Sequence, residues 1–199
     1  MIKMDMEKKT RIIFGVILIL VILLIGKFWI VEKRKSQILK LGSTTPMDQR
    51  ESVSPAAIHD AALFFDQDSV AATVGQDFNL VARVNPGSNT EQGINAVQLD
   101  VTFDPTVMQL SKVTPVAPFM EMSAPIIDSK KGTVLVDFFI GASQVTAVSD
   151  VATLSFHAKG AAVGATVDFS PKSDAAVNDG KGTMVTEART GATVNIAKP

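Results

Sequence analysis

Few groups in these 199 residues could do chemistry. His59 and His157 are the two candidate general bases, and there is no cysteine to act as a thiol nucleophile. Hydrolysis by a Ser-His-Asp arrangement needs nucleophile, base and orienting acid within reach of one another. His157 stands at a polar position of an alternating segment, with no Ser, Cys or acidic partner identifiable by spacing. His59 falls in a stretch that reads as linker. No catalytic residue is assigned. Asp174, Asn178 and Asp179 carry oxygens of the kind calcium takes, but the EF-hand spacing fails. Ala176 occupies the third position, and Asp179 stands where the invariant glycine belongs. A polar hairpin loop is the better reading. Gly160 and Gly164 form no phosphate loop, since no helix start and no Lys-Ser/Thr pair follows them. No metal and no cofactor is expected. Without cysteine, disulfides, thiolate zinc and covalent haem are excluded too.

The elements that would position any site belong to two physically different pieces. Hydrophobic residues make up 46% and charged residues 20%, which excludes a disordered chain. Residues 1–42 hold nine Lys/Arg against three Asp/Glu, and residues 43–199 hold ten against seventeen. The net charge of −1 is thus a balance of +6 and −7. A domain of net −7 is a poor partner for nucleic acid, whose phosphates require a basic surface.

Residues 12–31, IIFGVILILVILLIGKFWIV, are 20 residues carrying one charge, Lys27. As a helix they would span about 30 Å, the hydrocarbon thickness of a bilayer. Lys27 is near enough to the boundary to snorkel, and Trp29 suits the interface. The run is long for a signal-peptide core, and no small-residue cleavage site follows, so an uncleaved anchor is expected. Basic residues flank both ends equally and leave the orientation open. Residues 42–58, GSTTPMDQRESVSPAAI, have the composition of a flexible tether. A juxtamembrane helix through Gln37–Leu41, capped at Gly42, is the alternative for the segment before it. The expected organisation is a tail at 1–11, a transmembrane helix at 12–31, a juxtamembrane segment and linker at 32–61, and a domain at 62–199.

Beyond residue 60 the pattern changes to short segments of period two. Phe78-Leu80-Ala82-Val84, Val97-Leu99-Val101-Phe103, Val134-Val136-Phe138-Ile140, Leu154-Phe156 and Ala165-Val167-Phe169 alternate with polar neighbours, and Thr193 to Ile196 closes the series. Asn85-Pro86-Gly87, Asp104-Pro105 and Gly141 interrupt them. Such alternation gives each strand one core face and one wet face. Many short strands between turn signals predict an all-β antiparallel sandwich.

The order of these segments resembles a cohesin domain, a relative of the carbohydrate-binding modules of the cellulose-binding type. Thr73-Val74-Gly75-Gln76-Asp77-Phe78 is similar to the family's V-G-D-x-F opening of the second strand. Gly93 to Met108, with Phe103-Asp104-Pro105-Thr106-Val107-Met108, resembles the central strand and its Y-D-P-x-V-L continuation, Phe103 replacing the usual Tyr. Leu110 to Pro115 fits L-x-x-x-x-V-x-P, Val151 to Phe156 fits A-x-L-x-F, and Ala175 to Ile196 is like the last hairpin. The resemblance covers about residues 62–197. It implies a jelly-roll sandwich, preceded here by the single N-terminal helix, and a flat sheet face that binds a dockerin-type protein partner. Carried over by position, that face is Gln98, Asp100 and Thr102; Leu135, Asp137 and Phe139; and Thr153, Ser155 and His157.

Leu135 and Phe139 are apolar where alternation expects water. Either they form the centre of an interface, or the connection 116–131, VAPFMEMSAPIIDSKK, covers them. That connection is expected to pack as a covered core edge, because a long exposed apolar loop is unfavourable. Three functions follow. The first is a cell-surface adhesion or docking module, single-pass in the cell membrane with its C-terminal domain outside the cytoplasm. The second is a polysaccharide-binding module, weakened because the only Trp is Trp29 and there is no Tyr. The third is a filament subunit, for which no prepilin-type cleavage context is present. An enzyme is the least supported class.

Overall fold

The computed structural model describes residues 56–199. The expected tail (1–11), membrane span (12–31) and most of the expected linker lie outside the described residues. Among the described residues no helix is long and apolar enough to cross a membrane.

The described residues form thirteen strands: β1 (Ala61–Phe65), β2 (Ser69–Thr73), β3 (Asp77–Asn85), β4 (Ile94–Phe103), β5 (Met108–Pro115), β6 (Met120–Glu121), β7 (Ile126–Asp128), β8 (Thr133–Phe139), β9 (Ser149–Ala158), β10 (Ala162–Phe169), β11 (Asp174–Val177), β12 (Thr186–Thr190) and β13 (Ala192–Ala197). They build two sheets. One has the order β12-β1-β3-β9-β5. The other runs β2-β13-β10-β4-β8-β6, with β11 also on β4 and β7 also on β8. The all-β sandwich expected from the alternation is present.

The registers explain why alternation reads so cleanly. In the five-stranded sheet Phe78 faces Phe156 and Leu80 faces Leu154. In the eight-stranded sheet Val97 faces Phe138, Leu99 faces Val136 and Val101 faces Val134. Directly paired residues point to the same side of a sheet, so these ten side chains all enter the core. Leu80, Leu99, Phe138, Leu154 and Phe156 are at most 1% exposed. Each such burial stabilises by about 1.5–3 kcal/mol relative to exposure. Phe65 of β1 stacks on Phe169 of β10 at 4.4 Å between ring centres, and Phe103 of β4 meets Phe156 of β9 edge-on at 5.4 Å. Both contacts join one sheet to the other.

The sandwich is not wholly antiparallel, which corrects the expectation. β1 pairs with β12 and β2 with β13, both in parallel. The cause is a double crossing. The chain leaves β1 in the five-stranded sheet for β2 in the eight-stranded one, and near its end makes the same crossing from β12 to β13. Two segments that cross in the same direction side by side must run parallel.

Turn chemistry closes the strands. Asp104 Oδ1 accepts bonds from the Thr106 amide (2.8 Å) and the Thr106 hydroxyl (2.6 Å), which bends the chain between β4 and β5. These bonds, the hydroxyl first, hold the Asp104 carboxyl below the usual carboxylate range. Gly132 adopts φ +67, and a Cβ there would run into the Phe103 carbonyl and Pro105. Its own carbonyl accepts the Phe103 amide at 2.8 Å. At the other end, Asn89 is buried and grips the chain before β1. Its Oδ1 accepts the Ile58 amide (2.8 Å), and its Nδ2 lies 2.7 Å from the Ile58 carbonyl and 3.1 Å from Asp60 Oδ1.

Candidate functional site

The structure brings six of the nine sequence-derived face residues together. Gln98, Asp100 and Thr102 of β4 lie on the outer side of the eight-stranded sheet, because their neighbours Val97, Leu99, Val101 and Phe103 are buried. Leu135, Asp137 and Phe139 of β8 stand beside them on the same side, with Gln98 opposite Asp137 and Asp100 opposite Leu135. Gln98 Nε2 donates to Asp137 Oδ1 at 3.0 Å.

Thr153, Ser155 and His157 are elsewhere, which corrects the expectation of one three-strand face. β9 pairs with β3 and β5, so these residues cover the outside of the opposite sheet. A packed core about 10 Å thick separates the two. Alternation sorted inward from outward correctly but carries no information about which sheet a strand joins. His157 Nδ1 sits 2.7 Å from Asp77 Oδ1, its cross-strand neighbour. Its other strand neighbour is Gln109. Among the described residues the side-chain partner of His157 is Asp77, on the outside of the five-stranded sheet.

The 116–131 connection does not cover Leu135 and Phe139, a second correction. It forms β6 and β7 and adds them to the free side of β8, in the plane of the sheet. Phe119 is buried, but Met120 (49%), Met122 (67%) and Ile126 (68%) remain exposed. Met120 pairs with Phe139 and Ile126 with Leu135, so their side chains extend the outer face. Leu135 and Phe139 are half-buried beside these lateral neighbours.

On the other flank of β4, β10 and β11 run in line and are interrupted at residues 170–173. Phe169 pairs with Val101, and Asp174 pairs with Gln98. The Ser173 hydroxyl fills the gap, accepting the Asp100 amide (2.9 Å) and donating to the Asp100 carbonyl (2.8 Å). Asp168 stands outward between buried Val167 and Phe169. Arg189 approaches Asp174 at 3.8 Å and donates to the Ser173 carbonyl at 2.6 Å. A cleft of about 160 Å³ opens on this face, lined by Ala96, Gln98, Met122, Asp137, Ala176 and Met184 among others.

The loop after β11 is tied to its neighbours at Asn178, whose Oδ1 accepts Asn95 Nδ2 (3.0 Å) and whose Nδ2 donates to Gln144 Oε1 (2.7 Å), and is braced internally by Asp179. Asp179 Oδ1 accepts the amides of Lys181 (2.8 Å) and Gly182 (2.9 Å), and Oδ2 accepts the Thr183 hydroxyl. The Thr183 hydroxyl first, then these amides, lower the Asp179 carboxyl to about 2. Both carboxylate oxygens bond within the loop itself. Among the described residues no three His, Asp or Glu side chains gather as a metal site would require.

Sequence reasoning omitted six contributors to the outer face: Met120, Met122, Ile126, Asp168, Asp174 and Met184. Asp168 was legible as outward, since Val167 and Phe169 point inward, but not as a member of this sheet. The methionines and Ile126 were visible as an apolar run, but their exposure depends on β6 and β7 lying beside β8 rather than over it. Met184 faces Ala176 through an isolated bridge that no local pattern announces.

With this architecture in hand, the chain belongs to the cohesin domain family, whose model matches residues 65–196. The fold is similar to a cohesin module from a family 33 glycoside hydrolase of Clostridium perfringens, at 14% identity and a TM-score of 0.57, covering 72% of this chain and 100% of that one. It is also similar to structures of two type I cohesin–dockerin complexes from Clostridium thermocellum. One shares 15% identity with a TM-score of 0.58, covering 73% of this chain and 99% of that one. The other shares 12% with a TM-score of 0.55, covering 69% and 99%. At such identities the likeness is one of fold. A comparison with curated proteins finds no match.

Proposed function

We propose that this cohesin-domain protein captures a dockerin-type protein partner on the outer face of its eight-stranded sheet, and that residues 12–31 hold it in the cell membrane with the sandwich outside the cytoplasm. One observation carries the reading of the face. Leu135 and Phe139 sit at its centre, flanked by exposed Met120, Met122 and Ile126 and ringed by Gln98, Asp100, Asp137 and Thr102. Apolar residues held rigidly on a sheet and rimmed by polar groups are what a protein interface centre requires. The similar structures from Clostridium thermocellum hold a cohesin with a dockerin, which supports the class of partner. A glycan reading has less to stand on, because the described residues hold neither Trp nor Tyr for a sugar ring to stack against.

The test is calorimetric titration of the full chain, in detergent micelles, with a panel of purified dockerin modules and with soluble glycans. Binding of at least one dockerin and loss of about 100-fold in affinity for Leu135→Asp combined with Phe139→Asp are expected, the scale of losing a buried anchor. Melting curves of the variant separate lost binding from lost folding. Glycan binding with no dockerin bound overturns the proposal. Protease protection of the sandwich in sealed cells tests the topology: degradation by external protease is expected, and full protection refutes it.

A further inference from the structure

Three carboxylates share the outer face with the cleft: Asp100, Asp137 and Asp168. No Lys or Arg of the described residues lies within ion-pair distance of any of them; the ion pairs of this region are Arg189 with Asp174 and Lys131 with Asp128. Asp137 has only the neutral Gln98 amide as a side-chain partner. In the free protein water solvates these charges. A partner that covers the face removes that water, and a buried carboxylate without a counter-charge is strongly unfavourable. Cations on the occupant would replace the solvation these carboxylates lose. A second copy of this face would bring three more carboxylates and no cation, and like charges across an interface are unfavourable.

The apolar half of the requirement comes from methionine. Met122 (67%) and Met184 (48%) line the cleft and are exposed, Met120 (49%) is exposed on the same face, and Met108 is fully buried. Unbranched thioether side chains adapt their shape to what they receive. A cleft of about 160 Å³ has room for one medium aliphatic side chain rather than an aromatic pair.

Resting on the reading of this face as the partner surface, we infer that the partner segment is basic, carrying Lys or Arg for Asp100, Asp137 and Asp168 around one Leu-, Ile- or Met-like side chain that seats between Met122 and Met184. Met184 belongs to the loop after β11 and Met122 to the segment after β6, so two loops of unrelated sequence set the selectivity.

The probe is an unbiased phage-displayed library of short peptides, selected on the full chain in micelles. Enriched sequences are expected to combine Lys/Arg with Leu, Ile or Met. Synthetic copies should lose at least about tenfold in affinity to the variant with both Asp137→Lys and Asp168→Lys, an effect of about 1.4 kcal/mol. Affinity should fall with added salt, as exposed charge pairing does. Met122→Glu should weaken binding, and Met122→Leu should preserve it. Both Asp positions face solvent, and unchanged melting curves verify folding. Acidic or uncharged winners indifferent to the lysine substitutions overturn the inference. If those winners still fail on the Leu135→Asp, Phe139→Asp variant, the face remains the partner surface and only its chemistry was misassigned. Winners indifferent to both variants remove the face as well. A library that yields nothing above the background of that variant also counts against the inference.

Discussion

The two outer faces of this sandwich obey the same alternation and differ in what fills it. On the five-stranded sheet, Asn79 lies opposite Ser155, Val81 opposite Thr153, and Asp77 opposite His157. Arg83 pairs with Asp150 at 2.7 Å, and His157 with Asp77 at the same distance. On that face two charged groups find partners across the strands. On the eight-stranded sheet, Leu135 and Phe139 occupy outward positions, three carboxylates have no cationic neighbour, and the added β6 and β7 bring more apolar surface. One face pairs its carboxylates with cationic or imidazole groups, and the other leaves three carboxylates without a cation beside exposed apolar side chains. Location on a wet face is thus not enough to mark an interface; the groups left unmatched there are what mark it.

The largest effect should come from stepping one residue off the face. Phe138 lies between Asp137 and Phe139 but points into the core and is 1% exposed. Phe138→Ala should cost about 3–5 kcal/mol in chemical denaturation, since it removes a buried ring and leaves a cavity. Asp137→Ala beside it should change stability by less than about 0.5 kcal/mol, as for an ordinary surface change. Equal costs would mean that the in–out assignment of β8 is wrong.

Next in size is the contrast between faces. Leu135→Asp with Phe139→Asp should reduce dockerin affinity about 100-fold, while Thr153→Asp with Ser155→Asp should leave it within about twofold. Titrations that show the reverse would transfer the partner to the five-stranded sheet.

Asn89→Ala should destabilise by about 1–3 kcal/mol, because it strips partners from the backbone of Ile58 inside a partly buried turn. Hydrogen exchange should rise at residues 58–60 and leave the central strands unchanged. Smaller still, Arg83→Ala should cost about 0.2–1 kcal/mol by thermal unfolding, the range for a solvent-accessible ion pair.

The finest effect is pH dependence at Asp179. Its carboxyl is held at about 2, below the ordinary 3.8. A lowered folded-state value means the unfolded chain takes up the proton first. The stabilisation is therefore present in full above about 4 and fades as pH falls towards 2. Asp179→Asn should lower the melting temperature slightly at neutral pH and shrink its difference from the parent protein between pH 4 and 2. A difference that widens on acidification would contradict the assigned bonds.

Much of this molecule was legible before any coordinates. The core faces of β3, β4, β8, β9 and β10 follow from alternation, because a residue's side is set by its place two positions from its neighbours. β1, with the apolar run Ala61–Phe65, and β12, Thr186–Thr190, show no such period and escaped notice. Asn89 was equally silent, since its partners lie about 30 positions away.

What the chain's order of residues determined was therefore a set of two-sided ribbons, the turns between them, and an apolar anomaly at Leu135 and Phe139. Tertiary structure alone decided that β9 belongs to the opposite sheet, that β6 and β7 widen the face instead of hiding it, and that Asp168 and Met184 join it. Pleating is a local rule, whereas Gln98 meets Asp137 across 39 positions and His157 meets Asp77 across 80. Contacts at such separations are chosen by how the whole core packs.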